Sequence, residues 1–485
     1  MENSQEIDSC TIIEDFEQKK LLNDSIVHEN YDTESELDSE NKSKVIDVDK
    51  AFEKVGGFGR YQLYSLIFGV CLISNNCFLL YNISYFEQYP NFKCFNNETQ
   101  AWNACTRQEA CSLAKKDWQP DYSSQNSIHN WVEQLELYCN SESQIGFLGS
   151  LFFAGLLTSM FLVIPFSDKY GRKPLLYLNA FAGTIIQGAF LIANELSTFY
   201  FLMFLMGIVG AINPCVGYVY IMEIVMKKHQ TISVTIAQVG EGLAAICGPL
   251  YFMYIGNRWE PMIYIGTIIS LISSVMVLWI KESPRYLASK GQFLDAKAII
   301  LEIADFNKIS IQSNDNFEIE EPTSAISSDK NIELILKSYI GYPSFVKNMI
   351  IMAILWTTVS FNFFLMNFYL SNIEGDINMN NLLQSLGMIL SYGVSAPIIN
   401  RMGVKPSFVI FFLLCCLSSI LYITVPVKSA VFVSILVFIG RLGICPAYTL
   451  TFICSNMLFP AEIKSTLISI CNIFARAITM GAPLN

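Results

Sequence analysis

From residue 62 onward the chain alternates long apolar runs with polar connections. Eleven runs fall at 62–86, 144–166, 175–193, 198–222, 231–253, 260–280, 346–370, 380–399, 407–425, 429–457 and 465–484. A helix rises about 1.5 Å per residue, so about 20 residues cross the ~30 Å hydrocarbon layer of a bilayer. Each run is therefore predicted to be a membrane-spanning helix, and the chain an all-α polytopic membrane protein. Gly and Pro inside several runs are tolerated by membrane helices. Three polar regions interrupt the pattern: residues 1–50, 87–143 and 281–345.

A short basic turn occurs twice between apolar runs. Asp168 to Pro174 reads DKYGRKP, and Asn400 to Pro406 reads NRMGVKP, 232 positions later. Gly171 and Lys173 recur in register as Gly403 and Lys405, and Lys169 is answered by Arg401. The duplication predicts two pseudo-symmetric halves, 51–280 and 346–485, joined by a central loop over 281–345. Secondary transporters are built this way, from repeats around a central site. Lys and Arg in the short connections set the orientation. Lys169, Arg172, Lys173, Lys227, Lys228, Arg401, Lys405 and Lys464 all fall on one side, against Arg258 and Lys428 on the other. The richer side is expected to be cytoplasmic, with the amino terminus on it and loop 87–143 outside. The central loop is expected to carry short amphipathic helices at its ends.

Composition supports a membrane protein. Charged residues make up 15% and hydrophobic ones 52%, whereas soluble chains carry about a quarter charged residues. The net charge of −11 is local, because residues 1–54 hold sixteen Asp and Glu against six Lys. Residues 1–50 are read as a disordered acidic cytoplasmic tail, since nothing apolar there repays ordering. The tail has no signal-peptide pattern. Its stretch Glu17 to Leu22 fits an acidic dileucine sorting signal, and Ser35 to Glu40 fits an acid-directed kinase site. The expected location is the plasma membrane, with an endosomal or lysosomal membrane as the alternative the dileucine stretch supports.

Four of the fourteen cysteines lie in the outer loop: Cys94, Cys105, Cys111 and Cys139. In an extracytoplasmic loop they predict two disulfides, with three possible connectivities. Asn97-Glu98-Thr99 is a glycosylation sequon in the same loop. The cysteine intervals lack the C-x2-C pairs that zinc prefers, so no metal site is expected. No nucleophile motif, phosphate loop or metalloprotease helix appears, so neither an enzyme nor a cofactor is expected, and no nucleic-acid partner. The three histidines, His28, His129 and His229, lie outside the apolar runs. That excludes a proton relay through intramembrane histidine. The expected partners are a small organic solute and the lipid bilayer.

Charge inside a bilayer is costly and marks function. Glu241 lies in the fifth run, Arg441 in the tenth and Arg476 in the eleventh. The fifth and eleventh runs are equivalent across the repeat, so Glu241 and Arg476 are expected at similar depth near the midplane. They would form either a pair holding the halves together or a pair opened by an anionic solute on Arg476. Arg suits that task because its planar fork grips a carboxylate bidentately. Glu223, at the inner end of the fourth run, is expected to partner the basic turns and Glu282/Arg285 as a state-dependent gate. Asn75 and Asn76 need partners in hydrocarbon and are expected to face the cavity or another helix.

The chain resembles a major facilitator superfamily transporter, and within it the organic ion transporter family of solute carriers. Val48 to Gln62 (VDKAFEKVGGFGRYQ) is similar to the segment before the first helix. The cysteine-bearing loop follows, then DKYGRKP, MEIV (Met222 to Val225), ESPRYL from Glu282, and GRLG (Gly440 to Gly443). The resemblance covers residues 48–485. It implies the major facilitator fold, twelve helices in two six-helix halves moving solute by alternating access. The twelfth helix is expected to be missing, since the chain stops at Asn485 as the eleventh ends. In the eleventh helix of this family, cation carriers tend to have Asp where anion carriers have Arg, and Arg476 aligns there. The Asn pair and Phe363/Phe364 align with cavity positions. The family pattern also differs at several points. Tyr392 stands near a basic position of anion carriers, Met457 replaces an expected acid, and Asn400 replaces the Asp of the second turn. The outer loop holds four cysteines where six are expected.

The expected function is a secondary transporter of small organic ions, organic anions favoured, with Arg476, Glu241, Asn75, Asn76, Phe363, Phe364, Tyr392 and Arg441 contacting solute. Asp168, Gly171, Arg172, Lys173, Glu223, Glu282, Arg285, Arg401 and Lys405 are the expected gate. An organic cation or zwitterion (carnitine-like) carrier using Glu241 is the alternative. From another class comes a non-transporting sensor on a transporter scaffold. A sugar porter fits less well, because the outer loop disagrees.

Overall fold

A computed structural model describes residues 44–309 except 97, 99, 125 and 126, residues 317–319, and residues 339–484 except 374, 426–428 and 460–463. The dileucine-like stretch, Ser35 to Glu40 and the sequon residue Asn97 lie outside the described residues. The chain divides into two units, residues 1–46 with 313–318, and residues 47–312 with 319–485. The described residues of the first, 44–46 and 317–318, are short extended segments.

The second unit is helical. Its principal helices are α1 Arg60–Leu80, α2 Glu142–Leu162, α3 Lys173–Phe190, α4 Leu196–Gly210, α5 Lys227–Tyr254 and α6 Glu260–Met276. After the central segment come α7 Pro343–Phe368, α8 Ile377–Met402, α9 Val404–Thr424, α10 Ala430–Leu458 and α11 Lys464–Thr479. Among the described residues nine helices are long and apolar enough to cross a membrane. The shorter α3 (18 residues) and α11 (16 residues) occupy the third and eleventh apolar runs.

Two spans are less regular than their apolar runs imply. The first breaks after Leu80 and resumes as Ile83–Phe86. At the break the Asn82 amide donates to the Phe78 carbonyl at 2.8 Å. A side chain bonding its own helix in this way competes with the backbone ladder. The fourth span passes through a π-helical turn, Asn213–Gly217, into Tyr218–Glu223. Pro214 lies within that turn and has no N–H to keep the regular register.

Close helix packing uses small residues, as membrane interfaces do. Gly155 and Gly207 bring α2 and α4 together so closely that a methyl on either would overlap the facing backbone carbonyl. In the first half α1 packs on α5 and α6; in the second α10 packs on α8 and α9, and α7 on α11. The halves meet along α5 with α8 and α2 with α11.

The connection between α1 and α2 forms a three-stranded antiparallel sheet, with β1 Phe92–Asn96 between β2 Ala101–Cys105 and β3 Trp118–Pro120. Of the three connectivities left open by sequence, the structure has Cys94–Cys105 and Cys111–Cys139. The side bearing this sheet is called the loop face below, and the side bearing the basic turns the turn face. Three contacts join the halves in the middle and loop-face parts of their helices. Ser150 donates to the Met480 carbonyl at 2.8 Å. Asn381 donates to Ser84 at 3.3 Å. Phe153 meets Phe364 edge to face at 4.9 Å.

Candidate functional site

Glu241 stands between two glycines on α5. Gly240 lets Val70 and Ser74 of α1 come close, and Gly242 lies under Ile389 of α8. The carboxylate is thus drawn to the junction of the halves, where it remains only partly buried. Tyr218 donates to Oε1 at 2.6 Å and Tyr81 to Oε2 at 3.5 Å. Tyr392, 9% exposed, lies within electrostatic range of Glu241 and Arg441, and so does Tyr81. Neither Tyr81 nor Tyr218 was expected from sequence. The available signal was a tyrosine in an apolar run, whose hydroxyl needs a partner when buried.

The expected Glu241–Arg476 pair does not form. Arg476, 5% exposed, donates to Tyr448 at 2.8 Å and to Ser360 at 3.4 Å, with its guanidinium 4.9 Å from the centre of the Phe364 ring. Thr479 also donates to Ser360, at 3.1 Å. The guanidinium is held by hydroxyls and an aromatic face on α7 and α10, so it has no need of a carboxylate across the interface. Among the described residues neither Arg476 nor Arg441 has a carboxylate within ion-pair distance.

Arg441 is also placed differently from expectation. It is 0% exposed and is packed between helices instead of facing solute. It donates to the Phe363 carbonyl and to Asn367 Oδ1, both at 2.8 Å, and lies 4.2 Å from the centre of the Phe363 ring. Gln384 of α8 donates to the same Asn367 oxygen at 2.8 Å, tying α7, α8 and α10 together. Phe363 and Phe364 are buried and 5.2 Å apart, each under one guanidinium.

The asparagine pair splits. The Asn75 side chain turns away from Glu241 and donates to Ser270 of α6 at 3.1 Å, while the Asn75 backbone carbonyl accepts from Gln187 of α3 at 2.7 Å. Asn76 is 7% exposed, and both polar atoms of its amide lack a protein partner. A buried amide in that state carries an open desolvation cost that a ligand or water can remove.

On the turn face the first basic turn is clamped. Gly171 has φ +102° and lies against the Glu282 carboxylate. That carboxylate accepts the backbone N–H of Arg172 at 3.0 Å and of Lys173 at 3.1 Å. The Arg172 side chain grips Glu223 at 3.1 and 3.3 Å, reaches Asp168 at 3.0 Å, and packs 4.6 Å from the Tyr286 ring centre. Arg285 donates to the Glu223 carbonyl at 3.2 Å and to Asp49 at 2.6 Å. Lys227 pairs with the other Asp49 oxygen at 3.3 Å. The second turn is built differently. At Gly403 (φ +81°) an added methyl would meet no side chain or facing backbone within 4 Å among the described residues, and Arg401 and Lys405 are exposed.

Burial raises the Asp49 carboxyl, but the hydrogen bonds and charge of Arg285 and the contacts from Lys227 outweigh this and hold it below its ordinary value. A depressed carboxyl stabilises the fold above its unfolded value and loses that contribution as pH falls through the folded one. Asp49→Asn is expected to lower stability at pH 7 by about 1–2 kcal/mol, a hydrogen bond to a charged group (about 1.5–3 kcal/mol) discounted for the solvent that reaches this partly exposed pair. The two proteins should converge as pH falls below about 4, the ordinary Asp value. Thermal unfolding in detergent across pH checks this; a gap that persists at low pH would remove the charge pair as its cause.

The family model of the Major Facilitator Superfamily matches residues 123–483. Organic cation/carnitine transporter 2 of Homo sapiens is 23% identical over 367 residues, covering 75% of this chain and 65% of that protein. The chain thus spans about two thirds of that relative's length in the alignment. The organic cation transporter-like protein of Drosophila melanogaster is 24% identical over 492 residues, covering 90% of this chain and 84% of that protein. Among solved structures, the inward open conformation of the xylose transporter XylE from E. coli superposes with TM-score 0.57 at 13% identity, covering 87% of this chain and 88% of that one. Helical architecture, the repeated turn and the family match agree: the chain belongs to the Major Facilitator Superfamily.

Proposed function

We propose that the protein is a secondary transporter that carries a small organic cation by alternating access of its two halves. The observation that carries this reading is the contrast in accessibility of the intramembrane charges. Glu241 keeps part of its surface open, whereas Arg476 and Arg441 are 5% and 0% exposed and bonded to neutral groups. The charge available to a solute is therefore negative. This replaces the anion preference expected from Arg476 alone, and relatives named as organic cation and carnitine transporters support it. The solute's charged head sits on Glu241 among Tyr81, Tyr218 and Tyr392, whose rings offer the electron-rich faces cations favour. The unpartnered Asn76 amide bonds a polar group elsewhere on the solute.

In this reading the halves are closed at the loop face by Ser150–Met480, Asn381–Ser84 and Phe153–Phe364. The site is reached from the turn face, where Arg172, Glu223, Glu282 and Arg285 brace the first half alone. The test is uptake of labelled cations beside labelled anions by the full chain in proteoliposomes. Saturable cation uptake is expected. Saturable uptake of anions alone would return the selectivity to Arg476. Cation binding with no translocation would favour a sensor.

A further inference from the structure

We infer that the outward side of the α7–α11 pair is a binding groove for one anionic phospholipid of the turn-face leaflet, with an acyl chain between the helices and the phosphate on Lys347. The inference stands apart from which solute is carried.

Two cavities lie end to end along α7. The first, about 540 Å³, is at the turn-face end, lined entirely by residues of the stretch 340–351, Val346, Lys347 and Ile350 among them. The second, about 450 Å³, continues from Ile350 past Ile354 and Thr358, with Ile470, Phe474 and Ile478 of α11 as its other wall. These α11 residues recur every four positions and so share one helix face. Arg476 lies two positions from Phe474, about 200° round the helix, and bonds to Tyr448 on the other side. Ile350, Ile354, Phe474 and Ile478 are each more than half exposed, so the groove faces lipid and not the solute. Lys347 is the one charged residue that lines it, and among the described residues it has no acid within ion-pair distance. Lys464, the first residue of α11, stands at the same end. From Lys347 to Thr358 the helix rises about 16 Å, and one leaflet of hydrocarbon is about 15 Å deep. The groove has the length of one acyl chain and ends in a cation at headgroup level.

The duplicated half shows what kind of surface this is. There α6 packs on α1 and α3. The outward sides of α1 and α5 stay open beside it, with Leu63, Ile67, Ile236 and Leu243 each more than two-fifths exposed. At its turn-face end, however, the first half supplies its own cover. Phe306 meets Tyr61 at 5.5 Å and Tyr64 at 5.9 Å, and Asn307 accepts the Tyr61 N–H at 2.8 Å. The first cavity on α7 occupies the corresponding place in the second half. Charge selects its occupant. Anionic lipids collect in the cytoplasmic leaflet and attract Lys close to that surface, and the turn face carries the excess of Lys and Arg that marks that side. A zwitterionic lipid fills the groove equally well but gains less at Lys347. The lipid also acts on the site from behind. Ser360 of α7 accepts from Arg476 at 3.4 Å and from Thr479 at 3.1 Å, so a chain seated in the groove braces the helix pair that positions Arg476.

The probe is phosphatidylserine with a photoactivatable group on one acyl chain, added to the full chain in detergent micelles and followed by peptide mass spectrometry. Adducts are expected within residues 346–358 and 470–478, which line the groove. Unlabelled phosphatidylserine should displace them about fivefold better than unlabelled phosphatidylcholine, the discrimination that one Lys near the surface supplies. Lys347→Gln should erase that preference and keep the adducts. Ile354→Trp, which puts an indole into the groove, should lose them. Leu413→Trp, on the exposed side of α9, places the same bulk in lipid elsewhere and should leave them unchanged. Adducts that both lipids displace equally would reduce the groove to ordinary lipid contact and overturn the inference. So would adducts spread evenly over the lipid-facing helices, or an α7–α11 surface that takes no lipid and crosslinks to a second copy of the chain.

Discussion

Glu241→Gln should lower the kcat/KM for tetraethylammonium uptake by about 100-fold, with the protein still folded and inserted. Glutamine keeps the length and shape of the side chain, and its carbonyl still accepts the Tyr218 hydroxyl that lies 2.6 Å from Glu241. What is lost is the negative charge. Breaking a desolvated charge pair costs about 2–5 kcal/mol, and each 1.4 kcal/mol is tenfold, so a 100-fold loss, about 2.8 kcal/mol, lies in the lower half of that range. Glu241→Asp keeps the charge but withdraws it from Tyr218 by one methylene, and should fall between the two. Initial rates over a range of concentrations, normalised to reconstituted protein, check this. Wild-type rates in the glutamine variant would place the cation elsewhere in the cavity.

The second large effect concerns the paired turns. Gly171→Ala should destabilise the protein far more than Gly403→Ala, although the two glycines occupy equivalent positions in the repeat. Both have positive φ, +102° and +81°. Alanine there costs about 1 kcal/mol or somewhat more. At Gly403 the new methyl would meet nothing within 4 Å among the described residues, so the backbone term is the whole effect. At Gly171 the new methyl overlaps the Glu282 carboxylate, which accepts two backbone N–H groups of the same turn. Displacing that carboxylate weakens two hydrogen bonds to a charged acceptor, each worth about 1.5–3 kcal/mol. The expected total is ~3–5 kcal/mol against ~1 kcal/mol. Thermal unfolding of the two variants in one detergent measures the difference. Equal shifts would mean that the Glu282 clamp contributes nothing to the resting structure.

The apolar runs were enough to read the helices, because a segment in lipid must bond its own backbone and the helix does this locally. The repeated DKYGRKP and NRMGVKP turns revealed the two halves, since a positive-φ glycine followed by a helix start is a short-range property. Four cysteines in one polar stretch announced two disulfides for the same reason. Partnership is another matter. Sequence placed Glu241 and Arg476 at matching depths and suggested a pair. Whether they meet depends on how α5 and α11 are rotated and on which hydroxyls the neighbouring helices bring. Tyr218 and Tyr81 reached the acid first, Tyr448 and Ser360 the guanidinium.

The same holds at neighbouring positions. Asn75 and Asn76 are adjacent in sequence, yet about 100° of helical rotation separates them. One is tied to Ser270 and the other left with a free amide. Arg441 looked like a cavity charge until packing put it between α7, α8 and α10. Spacing also could not choose among the three disulfide connectivities, which follow from the register of β1 against β2 and the fold of the loop. What the sequence determined by itself was the list of helices, the duplication, the loop with its cysteines and the few charges worth watching, all properties of local pattern. Which charge is open to a solute, which turn is clamped and which amide is unsatisfied were decided only by tertiary structure, because each depends on side chains brought together from helices far apart in the chain.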